Sequence, residues 1–364
     1  MPTFRVAFTG DYLDAEGQVA YGDIGLELLG SVPYVEYGFL LDQKPSPREA
    51  NYWDRLYSLE VGPEHLAGVN GLVIFRPGVK AAAFAAGARD LVVIGRAGAG
   101  YDKIDLAACT AHDVAVFNAP DTLTHATASA ALLLILALAK RLPEQERLAR
   151  SGCWDRQAAL MGDDLPGQTL GIIGLGRSGR ELARLVVPWG MRVMAYSPHA
   201  DRGQAEALGV TLVAGLPDLL READFVSLHC RLDEHTRGMI GEGELRLLKP
   251  TAYFVNVARG ELVDQAALVR CLRERRIAGA GLDVFAEEPL PAGDPLTALD
   301  NVILTPHWLP STRQAGRATM RHVAHGLLQA ARGQVPGNVV NPAVLDRPGF
   351  RTKLARFAPN ATQD

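Results

Sequence analysis

Cysteine is scarce in this chain, four in 364 residues, and Cys109, Cys153, Cys230 and Cys271 form neither a CxxC pair nor a metal-ligand spacing. That excludes a disulfide scaffold and a zinc site of the usual kind, and the four read as reduced thiols of a cytoplasmic protein. Excess charge of one sign is also missing. The net charge of −4 gives no broad attraction to nucleic acid or an anionic membrane, so neither is expected as a partner. The longest apolar run, Ala126 to Ala139, is broken by Thr127 and Ser129 and falls short of the roughly 20 residues that span a bilayer. It reads as a buried helix. Met1-Pro2-Thr3-Phe4 leads into a strand without the basic and apolar regions of a signal peptide. No solenoid repeat or low-complexity tract is present.

What is there is an ordinary globular composition, 48% hydrophobic and 21% charged, with length for two domains. From Thr169 onward, apolar strand-like runs at Leu170–Leu175, Arg192–Tyr196, Thr211–Val213, Phe225–His229, Ala252–Val257, Gly281–Phe285 and Val302–Thr305 alternate with amphipathic helices such as Arg177–Val187 and Gln265–Arg276. Near-continuous apolar strands alternating with helices predict a parallel sheet covered on both faces. The first third repeats the theme at Arg5–Phe8, Gly71–Phe75, Leu91–Gly95 and Val114–Phe117. The stretch Gly38–Pro63, rich in Pro, Tyr and Trp and without a clean period, reads as a long loop or insertion. A helix over Thr124–Leu142 separates the two regions, and another over Ser311–Arg332 follows the last strand. Two sheets joined by two helices imply a cleft between lobes.

Gly174-Leu175-Gly176-Arg177-Ser178-Gly179 fits GxGxxG between a strand and a helix. The first glycine permits the tight turn, the second lets backbone approach a pyrophosphate, and the third lets helix pack on strand. The helix N-terminus adds N–H donors for the phosphates. Alone the pattern is weak; with the strand units behind it, it predicts a dinucleotide site for NAD or NADP. The second strand ends in Ser197-Pro198-His199, where an NAD-specific site usually carries an acid for the ribose 2′-hydroxyl. Ser197 does not repel a 2′-phosphate, and His199 and Arg202 are positioned to attract one or are simply solvated. The pattern leans toward tolerance of NADP.

Three segments after later strands carry Arg259, Asp283 with Glu288, and His307. Arginine grips carboxylates bidentately, histidine exchanges a proton near neutrality, and a carboxylate on the far ring nitrogen fixes the tautomer. Each alone has a bland reading: a structural histidine, a solvated arginine, a Glu-Pro turn. Gly95-Arg96-Ala97-Gly98-Ala99-Gly100-Tyr101-Asp102, Asn118-Ala119-Pro120, the glycine turn, Ser227-Leu228-His229 and Thr305-Pro306-His307 follow in order. Together they resemble the D-isomer-specific 2-hydroxyacid dehydrogenases over roughly residues 71–312.

The resemblance implies an α/β fold of two doubly wound parallel-sheet domains, a Rossmann cofactor domain inserted into a flavodoxin-like substrate domain. The corresponding division is 1–120 with 311–345 for substrate, 121–310 for NAD(P), and 346–364 as a C-terminal tail. It implies hydride transfer between NAD(P)H and a small 2-keto or 2-hydroxy acid, D-isomer specific, with no metal. Arg259 would bind the substrate carboxylate and carbonyl, His307 would be the general acid/base, and Glu288 would orient it. Asp283 would hold the nicotinamide carboxamide. Gly174, Gly176, Arg177, Ser178, Gly179, Ser197, His199, His229, Cys230, Arg231, Thr236, Val257 and Ala258 complete the implied cofactor site. The backbone of Ala97, Gly98, Ala99 and Gly100 would cradle the substrate carboxylate, with Arg76 meeting a second anionic group or forming a surface ion pair. A homodimer through the helix around Ala130–Ala139 is implied as well.

Several positions depart from the family pattern. Trp308-Leu309-Pro310 follows His307 where small residues are usual, so Trp308 either walls the substrate pocket or packs under the hinge helix. Ser129 replaces an acid, and Arg231 replaces a proline. Tyr52 and Trp53 are expected in the smaller domain's core, or else capping the cleft. The competing functions are a dehydrogenase of a one-carbon or inorganic acid, which Glu288 disfavours for formate, and a dinucleotide-sensing corepressor-like protein without turnover.

Overall fold

In the computed structural model the described residues are 2–14, 16–43, 49 and 51–359. The chain divides into two compact units, Met1–Leu123 with Thr312–Asp364, and Thr124–Ser311. No single helix among the described residues is long and apolar enough to cross a membrane.

The first unit holds a five-stranded parallel sheet. Its strands are β1 (Phe4–Thr9), β2 (Val35–Leu40), β3 (Gly71–Ile74), β4 (Val93–Arg96) and β5 (Ala115–Asn118), in the order β2-β1-β3-β4-β5. β3 and β5 are buried along their whole length, which is why they read as unbroken apolar runs. β2 was not expected. Only Val35 in it is buried, so Val35-Glu36-Tyr37-Gly38-Phe39-Leu40 carries the weak hydrophobic signal of a sheet edge. The stretch expected as a loop over 38–63 therefore begins inside a strand and holds a helix, Tyr52–Ser58; its residues 44–48 and 50 lie outside the described residues. Trp53 is 58% exposed rather than part of the core.

The helix Arg313–Ala330 lays Met320, Val323, Ala324 and Leu327 into the same core as Phe4, Phe8 and Phe117. The expected tail over 346–364 is likewise folded as far as it is described. Its helix Pro348–Ala355 and the following turn bury Phe350, Leu354 and Phe357, with Phe357 edge-on to Phe4 at 4.9 Å. Lys353 Nζ donates to the carbonyls of Ala88, Leu91 and His112 at 2.6, 3.1 and 2.7 Å, tying that helix to backbone with otherwise unfilled acceptors. A short polar-looking segment becomes part of the core because three apolar residues at helical spacing bury together.

The second unit holds seven parallel strands: β6 (Thr169–Ile173), β7 (Arg192–Tyr196), β8 (Val210–Leu212), β9 (Phe225–Leu228), β10 (Tyr253–Asn256), β11 (Gly279–Leu282) and β12 (Val302–Leu304). Their order, β12-β11-β10-β9-β6-β7-β8, reverses direction between β6 and β9. Both sheets are doubly wound and parallel, as the alternating pattern implied. The expected helix Thr124–Leu142 ends at Ala139 instead. Arg141 adopts a left-handed φ of 52°, and a second helix, Leu142–Ser151, leaves at 56°. Pro143 in the first turn of the new helix lacks the N–H that would continue the old one.

Candidate active site

The dinucleotide turn leaves β6 at the point where strand order reverses. Gly174 has φ 96°, and a Cβ there would lie 2.5 Å from the backbone nitrogen of Cys230. A Cβ on Gly179 would lie 2.3 Å from the Gly174 oxygen, whereas one on Gly176 would meet nothing within 4 Å. The turn thus packs against the end of β9 at its first glycine, closes on itself at its third and stays open at the second, where a phosphate has to approach backbone. The helix Arg177–Val186 begins there and presents its N-terminus.

His229, at the end of β9, is committed to holding this turn rather than facing outward. Its Nδ1 lies 3.0 Å from Ser178 Oγ and its Nε2 3.0 Å from Ser227 Oγ. Burial pushes the imidazole down to about 4, so it is neutral across the physiological range. The Cys230 thiol is pushed up to about 11 by burial, and its Sγ lies 3.8 Å from Met239 Sδ. Arg231 is exposed and 3.6 Å from Asp233. Thr236 closes that loop, accepting from Asp233 N at 2.8 Å and donating to Arg231 O at 2.7 Å. Past β7, Ser197 is half-buried and His199 exposed, and Asp201 caps the next helix by accepting from Gln204 N at 2.7 Å.

The turns after β10, β11 and β12 bring the ionisable residues together. Asn256, which sequence reasoning did not single out, shapes the first turn: its Oδ1 accepts from Ala258 N at 3.0 Å and its Nδ2 donates to Arg259 O at 2.9 Å. Val257 is buried, and Arg259 Nη1 donates to Ala258 O at 2.7 Å. Gly260 explains the Arg-Gly pair, since a Cβ there would fall 1.9 Å from the Phe285 carbonyl carbon. Only glycine lets the β10 turn press against the β11 turn, which carries Glu288. There Glu288 Oε1 accepts from Phe285 N at 3.2 Å and Oε2 takes His307 Nδ1 at 2.8 Å. Burial alone would raise the Glu288 carboxyl, but the hydrogen bond and charge of His307, with Phe285 N–H and Arg259, hold it below the usual carboxylate range. Its ionised form fixes the Nδ1 proton and leaves Nε2 as the exchanging nitrogen.

Asp283 is fully buried. Its Oδ1 accepts from Thr305 Oγ1 at 2.6 Å and from Trp308 N and Leu309 N at 3.1 Å each, bracketing His307, whose own φ of 52° is left-handed. Its Oδ2 is buried with no hydrogen-bond partner among the described residues. An orphaned buried acceptor needs a donor, and a carboxamide N–H of a nicotinamide is the kind of group that satisfies it. Together with the open face at Gly176, it makes these residues fit a nicotinamide dinucleotide. Trp308 is 38% exposed beside His307.

In the first unit, Ala97 N and Gly98 N are used internally, donating to Ile74 O at 3.0 Å and Arg96 O at 2.9 Å. The expected cradle of Ala97, Gly98, Ala99 and Gly100 narrows accordingly. Only the Ala99 and Gly100 N–H groups lack a protein acceptor among the described residues, while Ala99 O takes Asn118 Nδ2 at 2.6 Å. Arg76 is no surface pair. Its side chain is 11% exposed and 3.7 Å from Asp11, a buried acid with nothing in the local sequence to signal its burial.

Comparison with known proteins gives the family. The family model described as D-isomer specific 2-hydroxyacid dehydrogenase, NAD binding domain, matches residues 132–308. A glyoxylate reductase from Korarchaeum cryptofilum is 42% identical over 266 residues, covering 72% of this chain and 80% of that protein. A D-lactate dehydrogenase from Aquifex aeolicus, solved with NAD and lactic acid, superposes with a TM-score of 0.76 at 25% identity, covering 92% and 99% of the two chains. An NADPH-dependent glyoxylate/hydroxypyruvate reductase from Sinorhizobium meliloti, solved with NADP and malonate, superposes at 0.75 and 27% identity, covering 93% and 97%. The chain belongs to the D-isomer specific 2-hydroxyacid dehydrogenase family. It is an oxidoreductase that uses NAD or NADP and acts on small 2-hydroxy or 2-keto acids.

Proposed function

We propose that this enzyme reduces a short 2-keto acid of the glyoxylate or hydroxypyruvate type to the 2-hydroxy acid, as the D-isomer where C2 becomes a stereocentre, with Arg259, Glu288 and His307 as its catalytic residues. The 2.8 Å bond between Glu288 and His307, joining the turns after β11 and β12 in the sheet that carries the glycine turn, carries the reading. The bound nicotinamide supplies the hydride. Arg259 binds the substrate carboxylate and draws charge from the carbonyl, an electrostatic contribution that needs no reorganisation when the guanidinium is prepositioned. His307 gives its Nε2 proton to the carbonyl oxygen as that oxygen becomes a hydroxyl, and Glu288 offsets the imidazolium charge beforehand. Asp283 Oδ2 and the open face at Gly176 hold the dinucleotide, and the first unit, through Ala99 and Gly100 N–H, receives the substrate carboxylate. Oxidation of NADH or NADPH with a panel of 2-keto acids tests the reading. No turnover with any of them sinks it and favours a dinucleotide-sensing protein.

Ser197 supports use of NADPH as well as NADH, because the residue directly after β7 carries no charge to repel a 2′-phosphate. In Ser197→Asp, the preference shifts toward NADH by about tenfold, the scale of placing one like charge near the phosphate. An unchanged ratio of kcat/KM for the two cofactors removes Ser197 from that role.

We further propose a cytoplasmic homodimer. Leu133, Leu142, Trp154 and Met161, clustered in sequence over the second unit's first two helices and the turn after them, are 50%, 53%, 64% and 78% exposed. So much large apolar surface is unusual for a lone chain. A monomeric mass by sedimentation overturns this.

A further inference from the structure

At the carboxyl end of the first unit's sheet, chain order reverses between β1 and β3. That is where an open parallel sheet offers a ligand crevice. Two ionisable residues sit there, each two residues past a strand: Asp11 after β1 and Arg76 after β3. The Asp11 side chain is fully buried. Its Oδ1 accepts from Thr9 Oγ1 at 2.6 Å, and its Oδ2 accepts from Arg76 N at 3.0 Å and lies 3.7 Å from Arg76 Nη1. Arg76 Nη1 also donates to Tyr21 Oη at 2.9 Å. Its guanidinium carbon lies 4.5 Å from the ring centre of Phe75, 5.6 Å from that of Tyr21 and 5.7 Å from that of Tyr57. A cation on this edge is thus wrapped in aromatic faces and matched by an acid.

We propose that Asp11 makes this crevice selective for 2-keto and 2-hydroxy acids whose side chain is uncharged, by cancelling the charge of Arg76 toward any second anionic group. The proposal rests on the reading that the first unit receives the substrate. A phosphorylated or dicarboxylic acid brings a second negative charge to the pair. Its attraction to Arg76 is opposed by repulsion from Asp11, whose Oδ2 lies 3.7 Å from Arg76 Nη1, and the incoming group must shed its water as well. An uncharged or aromatic side chain meets Tyr21, Tyr57 and Phe75 and has no charge to desolvate. Without Asp11, the same arginine is a receptor for a phosphate or a distal carboxylate.

The test is kcat/KM of wild type and of Asp11→Asn with glyoxylate, hydroxypyruvate and phenylpyruvate on one side, and 3-phosphohydroxypyruvate and oxaloacetate on the other. Wild type favours the uncharged side chains by about 10²-fold or more, and Asp11→Asn raises the relative use of the charged ones by about tenfold. A wild-type preference for a phosphorylated or dicarboxylic acid overturns the proposal, as does an unchanged ratio in the variant. Should the variant fail to fold, the wild-type ratio decides alone. If wild type turns over none of these acids, the reaction reading falls separately, and calorimetric titration with D-glycerate and 3-phospho-D-glycerate decides instead. Tighter binding of D-glycerate then supports the proposal; tighter binding of the phosphorylated acid, or binding of neither, overturns it.

Discussion

His307→Asn lowers kcat for keto-acid reduction by about 10²–10⁴-fold, the usual contribution of a positioned acid/base, and leaves NAD(P)H affinity within about twofold. The substitution suits this position for a backbone reason. His307 has a φ of 52°, and asparagine tolerates the left-handed region better than other residues except glycine. The loop therefore survives while the only proton-exchanging nitrogen is lost. Turnover measured beside fluorescence titration of NADH separates chemistry from binding, and wild-type turnover in the variant removes His307 from the mechanism. Glu288→Gln is the companion. The carboxylate fixes the Nδ1 proton, so its loss lowers kcat by about tenfold while NAD(P)H affinity holds. The stability sign follows from the depressed Glu288 carboxyl. Its contribution is present above the ordinary carboxylate range and is lost as pH falls through the lower folded value.

Asp283→Ala has the second largest effect, a fall in kcat/KM of about 10²–10³-fold together with reduced stability, because one side chain serves two places. Through Oδ1 it ties Thr305, Trp308 and Leu309, on either side of His307, into one loop. Through Oδ2 it offers the buried acceptor that fits the nicotinamide carboxamide. Alanine strands two backbone N–H groups and a hydroxyl, at about 1–3 kcal/mol for each that stays buried. Asp283→Asn separates the two parts. Its amide keeps an acceptor for the loop and turns a donor toward the carboxamide, so thermal stability changes less than in alanine while NADH affinity drops. Equal loss of stability in both variants, with cofactor affinity intact, contradicts the division of labour.

The chemistry was legible in the sequence because its motifs are local. Each of Arg259, Glu288 and His307 follows an apolar strand, mostly or fully buried for β10 and β11 and half-buried for β12, and the ends of parallel strands in one sheet lie side by side whatever the loops do. The glycine turn was legible for the same reason, since its requirements are met within six residues. The second strand of the first sheet, Val35–Leu40, was not: an edge strand buries little, so no apolar run announces it. The terminal segment over 346–364 looked polar because its three core residues are spaced along a helix and the turn after it, among Arg and Lys. His229 was legible as part of the cofactor site, but not its two bonds to serines 2 and 51 residues away, which tie it to the turn.

By itself, then, the sequence determined the class of fold, the dinucleotide turn and the three residues of the proton-and-carboxylate chemistry, all set by backbone pattern over short range. Only the tertiary structure decided what surrounds Arg76. Asp11 stands 65 residues from it in the chain and carries no local mark of burial. Whether an arginine is a receptor for an anion or half of a neutral pair depends on what lies within about 4 Å of it, a distance that sequence spacing does not encode.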